Sequence, residues 1–307
     1  MSSFLSKPSL CCNSHSLAKT PLYCETIVSR GPQLISPKID GIRCLIGYDQ
    51  VAYSRKLEPL RSRQLQQYFT SIPFLDGEAI AGEPTDPAVY NKTQSHVMAF
   101  DKPSPLLAFY VFDYCHPEWL NRPFEERYAE AARLAEGVPG IYMVPQKRVT
   151  TATEMMEAHS EFIEDGYEGS ISKSASGRYK PGRSTWLENI SYKLKNEEDA
   201  EAPLYRLVER VINNNEQERD ALGAAKRSKA SENLVPAGTV GKFKLGTSAE
   251  DEFSCAPGMF THEQLQDIWD NWPRDKGRLI KYRHFPHGAK DKYRQARALG
   301  FRSKMDL

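Results

Sequence analysis

The sequence predicts an α+β protein in two parts: a larger domain of antiparallel sheets and helices, then a small β-barrel. Three observations predict it. The chain has 307 residues, more than a typical single domain, which leaves room for one large and one small core. Strand-like apolar runs, such as residues 106–114, alternate with segments that carry helix-start signals, most clearly Thr151 with Glu154 three residues later. Beyond the acidic stretch Asn196-Glu197-Glu198-Asp199-Ala200-Glu201-Ala202-Pro203, the chain changes to short strands with a single helix.

Residues 1–30 show no period and are expected to form a loose lead-in. Residues 42–46 and 51–54 flank Gly47-Tyr48-Asp49-Gln50 and read as a hairpin, which puts Lys38 in the turn before a strand. Residues 61–69 read as a helix. Residues 72–81 return as a strand carrying Asp76 and Glu78, which are two apart and so share a side. The run 106–114 suits a buried central strand. Asn121 can cap a helix that has Pro123 in its first turn and stops at Gly137. Thr151 and Glu154 open the next helix, with Met155, Phe162 and Ile163 on its apolar side, and Gly166 ends it just before Glu168. Residues 169–173 and 188–194 read as strands around a polar loop, 174–185. These elements define a first domain at 31–200, with the acidic stretch as a linker. In 203–307, strand-like segments at 204–211, 238–245 and 278–285 and a helix at 261–271 fit a β-barrel of the OB type, which commonly binds nucleic acid. Residues 213–233 are too polar to assign.

Composition excludes several classes. With 40% hydrophobic and 26% charged residues, and no apolar run near the roughly 18 residues a span needs, no membrane protein is expected. No basic start followed by an apolar segment marks a secretory signal, so a cytoplasmic address is expected, that of a host cell if the chain is phage-encoded. Six cysteines without a Cys-x-x-Cys pair suit reduced thiols, and Cys11, Cys12, His15 and Cys24 fit no standard zinc spacing. The net charge of +1 conceals eleven Lys or Arg against three Asp in residues 273–307, an end suited to a phosphate-rich partner.

The chemistry centres on Lys38-Ile39-Asp40-Gly41-Ile42-Arg43. Behind it follow Phe74-Leu75-Asp76-Gly77-Glu78, Phe109-Tyr110-Val111-Phe112-Asp113, Asp165-Gly166-Tyr167-Glu168-Gly169 and Ser191-Tyr192-Lys193-Leu194-Lys195, in that order. A lysine that attacks phosphorus must first lose its proton, and an unperturbed amine is neutral in only about 0.04% of molecules at pH 7. Lowering its pKa by two or three units contributes about 3 to 4 kcal/mol, so a cationic or desolvated pocket is required. Arg43, Lys193, Lys195 and a bound Mg²⁺ are the candidates to supply it. Phosphoryl transfer also needs charge neutralised on phosphate oxygens, and Glu78 and Glu168 are the carboxylates placed to hold Mg²⁺.

This ordered series resembles the nucleotidyltransferase motifs of ATP-dependent DNA ligases, particularly the small ligases of bacteriophages, from about Gln33 to the C-terminus. The resemblance implies a nucleotidyltransferase (adenylation) domain followed by an OB-fold DNA-binding domain, ATP as AMP donor, Mg²⁺, and nicked double-stranded DNA as the partner of a monomer. It implies that Lys38 is adenylylated with Asp40 beside it, and that Arg43 touches the nucleotide or the DNA 5′ phosphate. Arg55, in Ser54-Arg55-Lys56, would reach the ribose or the nick phosphate. Glu78 would hold the ribose hydroxyl or metal, Phe112 would stack on adenine, Glu168 would bind metal, and Lys193 and Lys195 would contact the α-phosphate. Arg302, with Arg297 and Lys304 in the last motif, would orient pyrophosphate. Where many ligases carry an acidic residue two before the lysine, this chain has Ser36, which leaves adenine recognition to Gln33 or a backbone group. An RNA ligase or an mRNA-capping guanylyltransferase shares the lysine chemistry, and a non-catalytic nucleic-acid-binding protein would need only the barrel and basic tail.

Overall fold

A computed structural model describes residues 5–12, 21–195, 197–220, 222–285 and 293–302. The chain divides into two units, Met1–Asn196 and Glu197–Leu307. In chain order the first contains β1 (Ser9–Leu10), α1 (Pro21–Val28), β2 (Gln33–Pro37), β3 (Ile42–Ile46), β4 (Ala52–Tyr53), α2 (Arg63–Tyr68), β5 (Leu75–Ala81), α3 (Val89–Val97), β6 (Leu107–Tyr114), α4 (Phe124–Ala135), β7 (Ile141–Met143), β8 (Lys147–Val149), α5 (Ala152–Glu164), β9 (Gly169–Ser174), β10 (Gly182–Arg183) and β11 (Ser191–Lys195). Two sheets carry it, ordered β4-β3-β5-β6-β7 and β11-β9-β2-β8, and β1 pairs with β10. All pairings are antiparallel except β6–β7 and β1–β10.

Each sheet buries one face. Leu107, Phe109 and Val111 alternate with half-buried residues along β6 and join Leu45, Leu75 and Ala79 in one core. Under the other sheet, Ile35, Val149, Tyr192 and Leu194 meet Met155, Ala158 and Phe162 of α5. Those three recur at helical spacing, and the Thr151 capping box starts the helix as the sequence predicts. Elsewhere the boundaries shift. Ser62 caps α2 by accepting the Leu65 N–H. α4 begins at Phe124 with Pro123 at its N-cap, so Asn121 is not the cap.

The lead-in is structured within its described part. α1 buries Tyr23, Cys24 and Ile27 against α5 and β11, a short face with no capping signal to announce it. α3 was also invisible, because its buried stripe is only Val89, Thr93 and Val97 in an otherwise polar run. Thr93 holds its place by accepting the Ala81 N–H at 2.9 Å.

The second unit contains β12 (Glu198–Asn213), β13 (Gln217–Arg219), β14 (Ala225–Arg227), β15 (Leu234–Leu245), β16 (Phe253–Cys255), α6 (His262–Asp270), α7 (Trp272–Asp275), β17 (Leu279–Phe285) and β18 (Arg294–Phe301). Its sheet runs β16-β15-β12-β17-β18 around Leu204, Phe243, Ile280 and Tyr282, and Ala256 bridges to Arg297 where the two edges meet. The acidic stretch is not a linker: Glu198–Pro203 pairs with β17. Its carboxylates pair with the basic end: Asp199 with its cross-strand neighbour Arg283 at 2.6 Å, Glu201 with Arg302 at 2.6 Å, and Glu197 with Arg297. The polar stretch 213–233 holds the β13–β14 hairpin, anchored by buried Asn215, whose amide donates to the carbonyls of Ser228 and Ala230. No helix among the described residues is long and apolar enough to cross a membrane.

Candidate functional site

Lys38 sits where the chain leaves one sheet of the first unit for the other. It follows β2, its N–H donates to the Gly169 carbonyl at 2.8 Å, and four residues later the chain enters β3 of the second sheet. Gly41 makes the crossing possible, since a Cβ there would lie 2.5 Å from the Ala79 carbonyl oxygen. Between the sheets is a cavity of about 230 Å³, lined by Lys38, Arg43, Arg55, Glu78, Phe112 and Lys193 with several neighbours. Strand geometry explains the convergence. β11 pairs with β9, and the period of two puts Lys193 and Lys195 on one side. β3 pairs Arg43 with Glu78 of β5. On β6 the register jumps from Asp76↔Asp113 to Gly77↔Val111, which leaves Phe112 as the extra residue of a bulge turned to the cavity wall.

Glu168 is the electrostatic hub. It ion-pairs with Lys38 and, at 3.0 Å, with Lys195. Burial would raise its pKa, but the two lysines win and hold it at about 2. The same pair reverses the expected state of Lys38. Burial favours the neutral amine, yet Glu168, with Asp40 and Glu78 behind it, more than offsets burial and holds the ammonium above its ordinary pKa. At rest, therefore, the lysine is charged, and the cationic neighbours do not dominate its field. Lys193 goes the other way: burial, Lys38, Lys195 and Arg183 lower its pKa despite Cys11. Glu78 is pushed up to about 7, chiefly by burial, with Arg43 and Lys38 opposing.

The arginines form a second group. Arg43 is clamped by Asp76 (Nε–Oδ1 2.6 Å, Nη2–Oδ2 2.5 Å), and its guanidinium lies 4.7 Å from the Phe112 ring centroid. Asp76 also accepts from the Tyr179 hydroxyl at 2.8 Å. Arg55 and Arg183 border the same cavity, and burial together with the Arg183 and Arg43 charges lowers the pKa of Arg55. Like charges gathered at a wall attract an anion. Arg183, in Gly182-Arg183-Ser184, was missed by sequence reasoning, as was Lys173, which lines the cavity and donates to Asp113 at 2.9 Å. Asp113 also takes buried Arg127 through two bonds, 2.8 and 3.2 Å, so one carboxylate ties α4, β6 and β9 beside Phe112. The signal for Lys173 was its position two residues beyond Ile171 on the same strand face.

Asp40 is buried beside Lys38. Gln33 does not line the cavity: it is fully buried, donates to the Gly31 carbonyl and accepts from Ser172. Arg302 belongs to the second unit and pairs with Glu201. Lys304 lies outside the described residues. No three His, Cys, Asp or Glu side chains gather as a metal site among the described residues. The hard carboxylate oxygens of Glu78 and Glu168 suit a cation that completes its shell with water and ligand phosphates, as Mg²⁺ does.

A lysine, clustered arginines, a carboxylate and an aromatic ring thus line one cavity between the two sheets. The model of the family described as ATP dependent DNA ligase domain matches residues 16–193, more than half of the chain. The chain belongs to that family. A DNA ligase of African swine fever virus is 30% identical over 142 residues, 45% of this chain and 33% of the viral protein, so the match spans about a third of that relative. Among solved structures, a Chlorella virus DNA ligase-adenylate is 23% identical with a TM-score of 0.53, covering 98% of this chain and 99% of that one. A structure from an analysis of Lig E DNA ligases is 19% identical with a TM-score of 0.68, covering 97% and 100%. At these identities the two structures speak for the fold.

Proposed function

We propose that this protein is an ATP-dependent DNA ligase that seals nicks in duplex DNA through a lysyl-AMP intermediate. The observation that carries the reading is the placement of Lys38: on the crossing between two sheets, inside a cavity it shares with Arg43, Arg55, Arg183, Lys193, Glu78 and Phe112. Once ATP is bound the Lys38 ammonium gives a proton to water, the free amine attacks the α-phosphorus, a nitrogen–phosphorus bond forms as the bond to pyrophosphate breaks, and the nitrogen's second proton leaves to water. AMP then passes to the 5′ phosphate at the nick, and the adjacent 3′ hydroxyl displaces it.

Each side chain has a task in this reading. Lys193, with its lowered pKa, and Lys195 hold the α-phosphate, Phe112 offers an apolar face to adenine, and Arg55, Arg183 and Arg43 receive the nick phosphate or nucleotide. Asp40 and Glu168 keep Lys38 charged until the site is loaded. Mg²⁺, held by Glu168 and Glu78, would neutralise phosphate charge when bound.

Incubation with α-labelled ATP and Mg²⁺ tests the first step. A covalent protein adduct is expected, and Lys38→Ala abolishes it; equal labelling of the variant refutes the reading. Offering GTP in place of ATP, and nicked RNA in place of nicked DNA, separates this enzyme from a guanylyltransferase or an RNA ligase.

A further inference from the structure

A strap of chain near the N-terminus crosses the cavity. Leu5 is buried in the core of the first sheet, and Cys12 in the core of the other. Between them β1 lies parallel to β10, with the Gly182 N–H donating to the Pro8 carbonyl at 3.1 Å and the Ser184 N–H to the Leu10 carbonyl at 2.9 Å. The Ser9 N–H donates to the Tyr179 hydroxyl at 3.1 Å, and the Cys12 N–H to the Ser191 carbonyl at 3.1 Å. A segment tied at both ends and along its length is a fixed wall.

Its carbonyls reach two of the cavity's arginines. Arg43 Nη2 donates to the Ser9 carbonyl at 3.1 Å, and Arg183 Nη1 donates to the Cys11 carbonyl at 2.9 Å. A guanidinium has five N–H donors in a rigid fork, so a carbonyl that takes one fixes the direction of the rest. Ser9, Leu10 and Cys11 all line the cavity, and the Cys11 thiol lies near enough to Lys193 for its ionised form to favour the ammonium. We propose that residues 9–11 are a positioning element of the nucleotide site, aiming Arg43 and Arg183, and that Cys11 is a modification point whose covalent capping shuts the nucleotide out. This rests on the reading that the nucleotide occupies this cavity.

Selectivity follows from burial. Cys11 is half-buried, whereas Cys12, Cys24, Cys44, Cys115 and Cys255 are buried with thiols pushed upward by desolvation, Cys12 to about 11 and Cys255 to about 12.

The test uses the full chain and N-ethylmaleimide. The Cys11 sulfur adds across the maleimide double bond and the thiol proton ends on the neighbouring carbon, so no other reactant is consumed. Labelling of Cys11 is followed by peptide mass spectrometry, and the labelled protein is then given ATP. Adduct formation is expected to fall in proportion to Cys11 labelling, while Cys11→Ser keeps its own untreated rate after the same exposure. With ATP at about ten times its Kd, labelling of Cys11 is expected to slow about ten-fold by mass action. Protein fully labelled at Cys11 that still forms adduct at unchanged rate and KM overturns the proposal, as does labelling indifferent to ATP. Untreated protein that forms no adduct overturns the ligase reading instead.

Discussion

Lys38 and the two glutamates near it respond to pH in opposite senses. Glu168 has a folded pKa of about 2, below its unfolded value, so its contribution is present above about 4.5 and is lost as pH falls toward 2. Glu168→Gln is expected to cost about 3 kcal/mol at pH 7 and little near pH 2, measured by urea unfolding at both. In the same variant burial dominates Lys38 and its amine should react faster with an acylating reagent at pH 8. Glu78 has a raised folded pKa of about 7, so its contribution is present below about 4.5 and lost as pH rises through 7. Glu78→Gln is therefore expected to be more stable than the parent at pH 8, on the order of 2 kcal/mol after allowing for solvent in the cavity, with the gap closing by pH 4. A parent that gains stability between pH 6 and 8 relative to that variant contradicts this. The run from Lys38 to Arg43 was legible in sequence because its spacing is local, and its distant partners because their short motifs follow it in order. The charge state of Lys38 was not, since Glu168 arrives from 130 residues away.

Within elements, the cavity depends on strands held in register by buried charge. Asp113 joins α4, β6 and β9, and Arg127 is its fully buried partner. Arg127→Met leaves Lys173 as the one cation among the described residues paired with Asp113, an expected loss of about 3 to 5 kcal/mol, and Asp113→Leu in the same chain should restore part of it. Thermal unfolding of the single and double variants checks both signs. Gly41→Ala must move the β5 backbone or the turn itself, so it is expected to lower adduct yield more than it lowers stability. The capping box at Thr151 was readable because two side chains declare it three residues apart. The Phe112 bulge, α1 and α3 were not, because a skipped pairing or an apolar face of two or three residues leaves no local periodicity.

Across the whole molecule, charge is arranged rather than merely abundant. The basic end of the sequence suits a phosphate-rich partner, and the acidic stretch before it reads as a linker. The acidic stretch is a strand, and Arg283, Arg297 and Arg302 each meet a carboxylate near the start of β12 within the second unit. Strand pairing across about 80 residues brings them together, which no window of sequence displays. Binding to nicked duplex DNA is expected to weaken linearly in the logarithm of salt concentration, with a slope near −0.9 per phosphate neutralised. A salt-independent affinity would remove the electrostatic part of the account. Intact-protein mass spectrometry after incubation with ATP and Mg²⁺, followed by peptide mapping, shows whether Lys38 carries the transferred group. One AMP on Lys38, released when nicked DNA is added, is the expected result; strand joining by protein whose Lys38 is never modified would contradict it.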